Sequence, residues 1–152
     1  MLQKTYTLTL DKKWRKKVDK GPMFDYFYLI IDNERIAEFR PKCSNKKSYS
    51  LPEAVNNMQH FFEVQNLIAN STCYQKAKNT YGCRIDITNQ QGVIKRVQWL
   101  GINTVINTGA DLDLVVYKDY PSLQNEIQQV INSISFKKTE GDLNCLTLTE
   151  WM

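Results

Sequence analysis

The chain has 152 residues, 20 basic and 16 acidic side chains, a formal net charge of +4 and 42% hydrophobic residues. That length predicts one globular domain over residues 1–152 with a core of its own; the composition excludes a disordered tail, and 6 Gly and 4 Pro exclude a collagen-like chain. No apolar run approaches the roughly 18–20 residues needed to span a bilayer.

Tyr6, Leu8 and Leu10 alternate with threonines, the period-2 pattern of a half-buried strand. Next comes a basic stretch holding Lys12, Lys13, Arg15, Lys16, Lys17 and Lys20, read as a connection that closes at Gly21-Pro22, with Trp14 as its anchor. Residues 1–50 carry 12 Lys or Arg against 6 Asp or Glu, and the remainder 8 against 10, so the positive charge is local. Lys42, Lys46 and Lys47 form a second patch. Such patches bind phosphate backbones or anionic lipid by counterion release. No helix-turn-helix or aromatic RNA-binding pattern accompanies them, and a solvated face is their ordinary reading. Phe24 to Ile31, a turn at Asp32-Asn33 and a return over Arg35 to Arg40 predict a β-hairpin, followed by a loop from Pro41 to Ser48.

Ser50, Pro52 and Glu53 announce a helix: a capping hydroxyl, a first-turn proline and a capping-box glutamate. Ala54, Val55, Met58, Phe61, Phe62, Ile68 and Ala69 extend its apolar face to residue 69. Four strands are then expected: Cys83 to Thr88, Val93 to Trp99, Ile102 to Asn107 and Leu112 to Tyr117, with turns around Gly92 and at Thr108 to Asp111. Pro121 opens a second helix, with Leu123, Ile127, Val130, Ile131 and Ile134 on one face. A last short strand is expected at Leu146 to Thr149, with the tail 137–152 packed on the domain. This order predicts an α+β fold: an antiparallel sheet of about six to seven strands covered by two amphipathic helices, in an α/β/α arrangement.

Cysteine usage leaves two readings open. Cys43, Cys73, Cys83 and Cys145 include no C-x-x-C pair, and His60 is the one histidine, so neither a zinc site nor a thioredoxin motif is indicated. Either the thiols are free or they form two disulfides, with three connectivities open. In one of these Cys73 and Cys83 close a local loop and Cys43 and Cys145 tie the N-terminal half to the C-terminus. Disulfides imply an oxidising compartment such as the periplasm. The residues from Met1 to Tyr6 lack a signal-peptide pattern, so an envelope location requires a targeting segment already removed.

Chemistry-bearing motifs are sparse. There is no G-x-S-x-G elbow, P-loop or G-x-G-x-x-G stretch, and no motif calls for a cofactor or metal. A Cys–His enzyme would have to recruit His60, mid-helix, with a free cysteine. Asp111 and Asp113 share a strand face, with Asp86 in a neighbouring hairpin; a solvent-facing row explains them without a site. Tyr26, Tyr28, Trp99 and Trp151 are candidate interface aromatics, although core or sheet packing is their commoner role.

The unit Asp113 to Tyr117, Leu123 to Ile131 and Asn132 to Phe136 resembles the C-terminal strand, helix and Ser-aliphatic-x-Phe end of the PsbP-like and DcrB-like α/β/α envelope proteins. Tyr6 to Leu10 with Trp14, and Ser50 to Met58, are similar to that family's opening strand and first helix, so the resemblance spans residues 5–137. Departures are Asp11-Lys12-Lys13 in place of the usual proline and glycine, the four cysteines and the tail. The resemblance implies a mostly non-catalytic family of envelope lipoproteins, photosystem accessory subunits and secretion-effector chaperones, with no catalytic residues to carry over. The expectation is therefore a non-enzymatic bacterial binding protein with a protein partner, in an accessory, chaperone or immunity role in the envelope or a secretion or toxin system. Nucleic-acid or anionic-surface binding through Lys12 to Lys20, and a Cys–His enzyme, are the alternatives.

Overall fold

A computed structural model of the chain describes residues 6–7, 14–17, 26–44, 50–105 and 108–136. In chain order the elements are β1 (Tyr6–Thr7), β2 (Trp14–Lys17), β3 (Tyr26–Ile31), β4 (Glu34–Ser44), α1 (Leu51–Glu63), β5 (Ile68–Ala77), β6 (Thr80–Thr88), β7 (Ile94–Asn103), β8 (Thr108–Val116), α2 (Leu123–Asn132) and β9 (Ser135–Phe136). Seven strands form one antiparallel sheet in the order β2-β3-β4-β8-β7-β6-β5, and β1 pairs with β9 in a separate two-stranded sheet.

The helices lie on opposite faces, so the architecture is the expected α+β sandwich of helix, sheet and helix. On one face, Leu123, Ile127, Val130, Ile131 and Ile134 of the α2 segment meet Leu29, Phe39, Val97, Trp99, Leu112 and Leu114. On the other, Val55 and Phe62 of α1 pack on Ala69, Cys83, Ile85, Ile87 and Leu100. The side-chain period of two explains the division, since neighbouring residues of one strand feed different cores. Leu112 and Leu114 go to the α2 side, while Asp111 and Asp113, which alternate with them, go to the α1 side.

Local chemistry sets the boundaries. Asp32 (φ 51°) and Asn33 (φ 61°) form the two-residue β3–β4 turn, a left-handed pair that Asp and Asn tolerate. Ser50 Oγ accepts a hydrogen bond from the Glu53 amide at 3.4 Å, capping α1. Gly92 (φ 79°) closes the β6–β7 turn, where Asn89 Oδ1 accepts from the Gln91 and Val93 amides at 3.0 Å each.

Four expected boundaries are corrected. Within the basic stretch read as a connection, Trp14–Lys17 is strand β2, paired with β3. The loop expected from Pro41 is strand through Ser44; past the last described β3 pair, Phe27 with Phe39, β8 is the one strand flanking β4 among the described residues, and proline's missing N–H is tolerated on such an edge. Helix α1 ends at Glu63, not residue 69: Asn66 (φ 64°) turns the chain, and Ile68 and Ala69 open β5, a strand not foreseen. Finally, β7 runs through Gly101 to Asn103 and β8 starts at Thr108, so three long strands replace four short ones and the turn precedes Thr108. The strand expected at Leu146 to Thr149 and the tail 137–152 lie outside the described residues.

Candidate functional site

The face covered by α1 divides into an apolar half, a polar half and an open groove. Among the described residues α1 packs chiefly on β5, β6 and β7. Beyond it, on β3, β4, β7 and β8, the same face is polar. Asp113 (3% exposed) receives both arms of Arg96, Nε to Oδ1 at 2.6 Å and Nη2 to Oδ2 at 2.5 Å, and Gln98 Nε2 at 3.3 Å. The Arg96 guanidinium also stands 5.5 Å from the centre of the Phe62 ring, linking α1 to β8. Glu38, 4% exposed, accepts from the Tyr117 hydroxyl, and Arg35 lies 4.3 Å over the ring of Tyr28, which is registered opposite Glu38. Asp113 is thus neutralised by Arg96 and Glu38 is hydrogen-bonded, as buried charged groups must be.

The groove lies between the N-terminal half of α1 and the β5–β6 hairpin. It encloses ≈880 Å³ and is lined by Leu51, Pro52 and Val55 of α1, by Tyr81 and Ile102, and by the disulfide between Cys73 and Cys83. Those cysteines are direct cross-strand partners with Cα atoms 4.0 Å apart, the spacing of a non-hydrogen-bonded pair. Cys83 is buried and Cys73 exposed, so the bridge joins the core to the sheet's rim. Polar lining comes from Asn56, Gln59, Ser71 and Gln75. Gln59 Nε2 ties the helix to β5, donating to the Ala69 carbonyl and to Ser71 Oγ, both at 3.2 Å.

On the opposite face, the indole of Trp99 lies flat across its own strand neighbour Gly101 and the cross-strand Gly82. A Cβ at Gly101 would come 2.0 Å from Cη2, and one at Gly82 2.4 Å from Cζ2. Its Nε1 donates to the Tyr74 hydroxyl at 2.9 Å. Lys76, beside Tyr74, donates to the Asn132 and Ile134 carbonyls at 3.0 and 2.7 Å and so caps the end of α2; burial lowers its ammonium below its ordinary range.

No family model matches the chain, and no curated protein matches it in sequence. Among solved structures, it is similar to the solution structure of cyanobacterial PsbP (CyanoP) from Synechocystis sp. PCC 6803. The TM-score is 0.54 at 12% identity, over 88% of this chain and 93% of that one. The chain has a PsbP-like fold. A crystal structure from Bacteroides thetaiotaomicron aligns at a TM-score of 0.46 and 15% identity, over 88% of this chain and 45% of that one.

The C-terminal unit that carried the resemblance is β8, α2 and β9 of this PsbP-like fold. Of the aromatics expected as interface candidates, two are corrected. Trp99 is fully buried on the α2 side and Tyr28 is 8% exposed, because the alternation of β7 and β3 turns both into packed faces. The side chain of Tyr26 and all of Trp151 lie outside the described residues. Asp113 is buried under Arg96 and belongs to no solvent-facing row; Asp86 pairs with Arg84 at 2.8 Å on the α2 face, away from Asp111 and Asp113. Arg15, Lys16 and Lys17 fall in edge strand β2, whereas Lys12, Lys13 and Lys20 lie outside the described residues, as does Cys145, and Cys43 is placed only by its backbone in β4. His60 is exposed on α1. Among the described residues, no three His, Cys, Asp or Glu side chains are grouped to hold a metal, and no helix is long and apolar enough to cross a membrane. Sequence reasoning missed Tyr81 and the whole β5 wall of the groove. The available signal was that Cys73 and Cys83 stand five residues either side of Lys78, as a hairpin turn there requires.

Proposed function

We propose that this chain is a small bacterial binding protein, acting as one folded unit through protein–protein contact in an accessory, chaperone or immunity role. The observation that carries this reading is the open groove: apolar on most of its wall, bordered by Tyr81 at 40% exposure, and with no acid–base pair among the described residues that line it. The PsbP-like fold supports it through the accessory character of proteins that share the family pattern. The Cys73–Cys83 disulfide supports a periplasmic or envelope location, since such bonds persist in oxidising compartments. It also withdraws both sulfurs from service as nucleophiles, which weighs against a Cys–His enzyme. Three of the four residues of edge strand β2 are cationic, a composition that discourages edge-to-edge pairing without any nucleic-acid ligand, so nucleic-acid or anionic-surface binding ranks second.

The test is quantitative co-purification from the native host with a tagged chain. One protein recovered in near-stoichiometric amount over an untagged control is the expected result; recovery of none overturns the reading. Salt-sensitive binding to DNA, RNA or acidic vesicles with no protein recovered would move the second reading to first.

A further inference from the structure

The two edges of the seven-stranded sheet are built differently. One edge, β2, is four residues long and three of them are cationic, the usual protection against pairing with another chain. At the other edge, β5 has ten residues, and its one charge, Lys76, is turned onto the end of α2. Because Cys73 and Cys83 form a non-hydrogen-bonded pair, the N–H and C=O groups of Ser71, Cys73 and Gln75 point away from β6. Ala69 has the same orientation, and its outward carbonyl is taken by Gln59. The other three residues are exposed.

Resting on the protein-contact reading, we propose that this edge is the docking site, and that it takes an extended segment of a partner protein as an eighth strand. An alternating row of backbone donors and acceptors is matched by another backbone. The side chains of Ser71, Cys73 and Gln75 line the groove, so a strand added beside them directs every second side chain toward its apolar wall. The occupant is therefore an extended peptide with apolar residues at alternate positions and neutral or polar ones between. A second copy of this chain fits poorly. Pairing β5 with itself would bring Ser71 and Gln75, not apolar side chains, to the apolar wall.

The experiment uses the full chain and a phage-displayed library of random dodecapeptides, with the best selected peptide titrated into isotope-labelled protein. Enriched peptides should carry apolar residues at alternate positions, shift the amide signals of Ser71, Cys73 and Gln75, and slow their hydrogen exchange. Ser71→Pro and Gln75→Pro each remove one outward N–H that β6 does not use, and each should weaken binding about tenfold. Tyr81→Ser, which leaves β5 untouched, should weaken it comparably through the groove. Absence of enriched peptides, shifts confined to another surface, or unchanged affinity in folded variants overturns the proposal. So does concentration-dependent protection of these amides without peptide, which would assign the edge to a second copy, or protection lost on removing residues 137–152, which would assign it to the chain's own end. A host protein that co-purifies equally with the proline variants would leave the protein-contact reading standing and remove this one.

Discussion

Trp99 illustrates how far one residue can be read. Its aromatic character marked it as a candidate for an interface, but its position in an alternating strand put it in the core. What one-dimensional reading lacks is the partner: Gly82 becomes its floor only when β6 and β7 are aligned, opposite Gly101. Gly101→Ala or Gly82→Ala forces the indole to move, and each should cost about 1–3 kcal/mol, read as a lower urea midpoint. The Arg96–Asp113 pair was equally hidden, since its members are far apart in sequence and meet only across the β7–β8 register. Arg96→Ala leaves a buried carboxylate without its cation and should destabilise by about 3 kcal/mol in the same assay.

At the scale of elements, legibility followed amphipathicity. α2 and the β3–β4 hairpin were readable because periodicity and turn chemistry agree within each. β5 was not, because an edge strand exposed on most of its length carries Asn70, Ser71, Thr72 and Gln75 where a central strand would carry Val or Ile. Beyond its pairing with β6, what holds it is the bond to Cys83, the Gln59 contacts and the Lys76 clamp. Replacing both Cys73 and Cys83 with serine should lower stability by about 3 kcal/mol, seen as a fall in melting temperature, with the β5 amides exchanging fastest. Lys76 adds a pH signature. Its ammonium sits below the ordinary 10.5 in the folded chain, so the unfolded chain binds more protons between the two values. Relative to Lys76→Met, the wild type should therefore gain stability as pH rises through that window toward 10.5, measured by denaturant titration at several alkaline pH values.

At the scale of the whole molecule, the α+β class and the two-helix sandwich were legible, because two amphipathic stripes and consecutive hairpins leave few other ways to bury apolar surface. Strand order was not, since β4 pairs with β8 across more than sixty intervening residues and no local signal specifies that contact. The groove arises from that order, which places β5 at the rim and lets α1 stop short of closing over it. On the proposed reading, this rim is where the protein meets its partner. Photo-crosslinking in the native host tests it most directly, with a photoreactive residue placed at Gln75 or Tyr81 and, as controls, at the exposed Val64 and Val105. One discrete protein adduct is expected from the first two positions and none from the controls. An adduct from Val64 or Val105 alone, or none from any position, would contradict it.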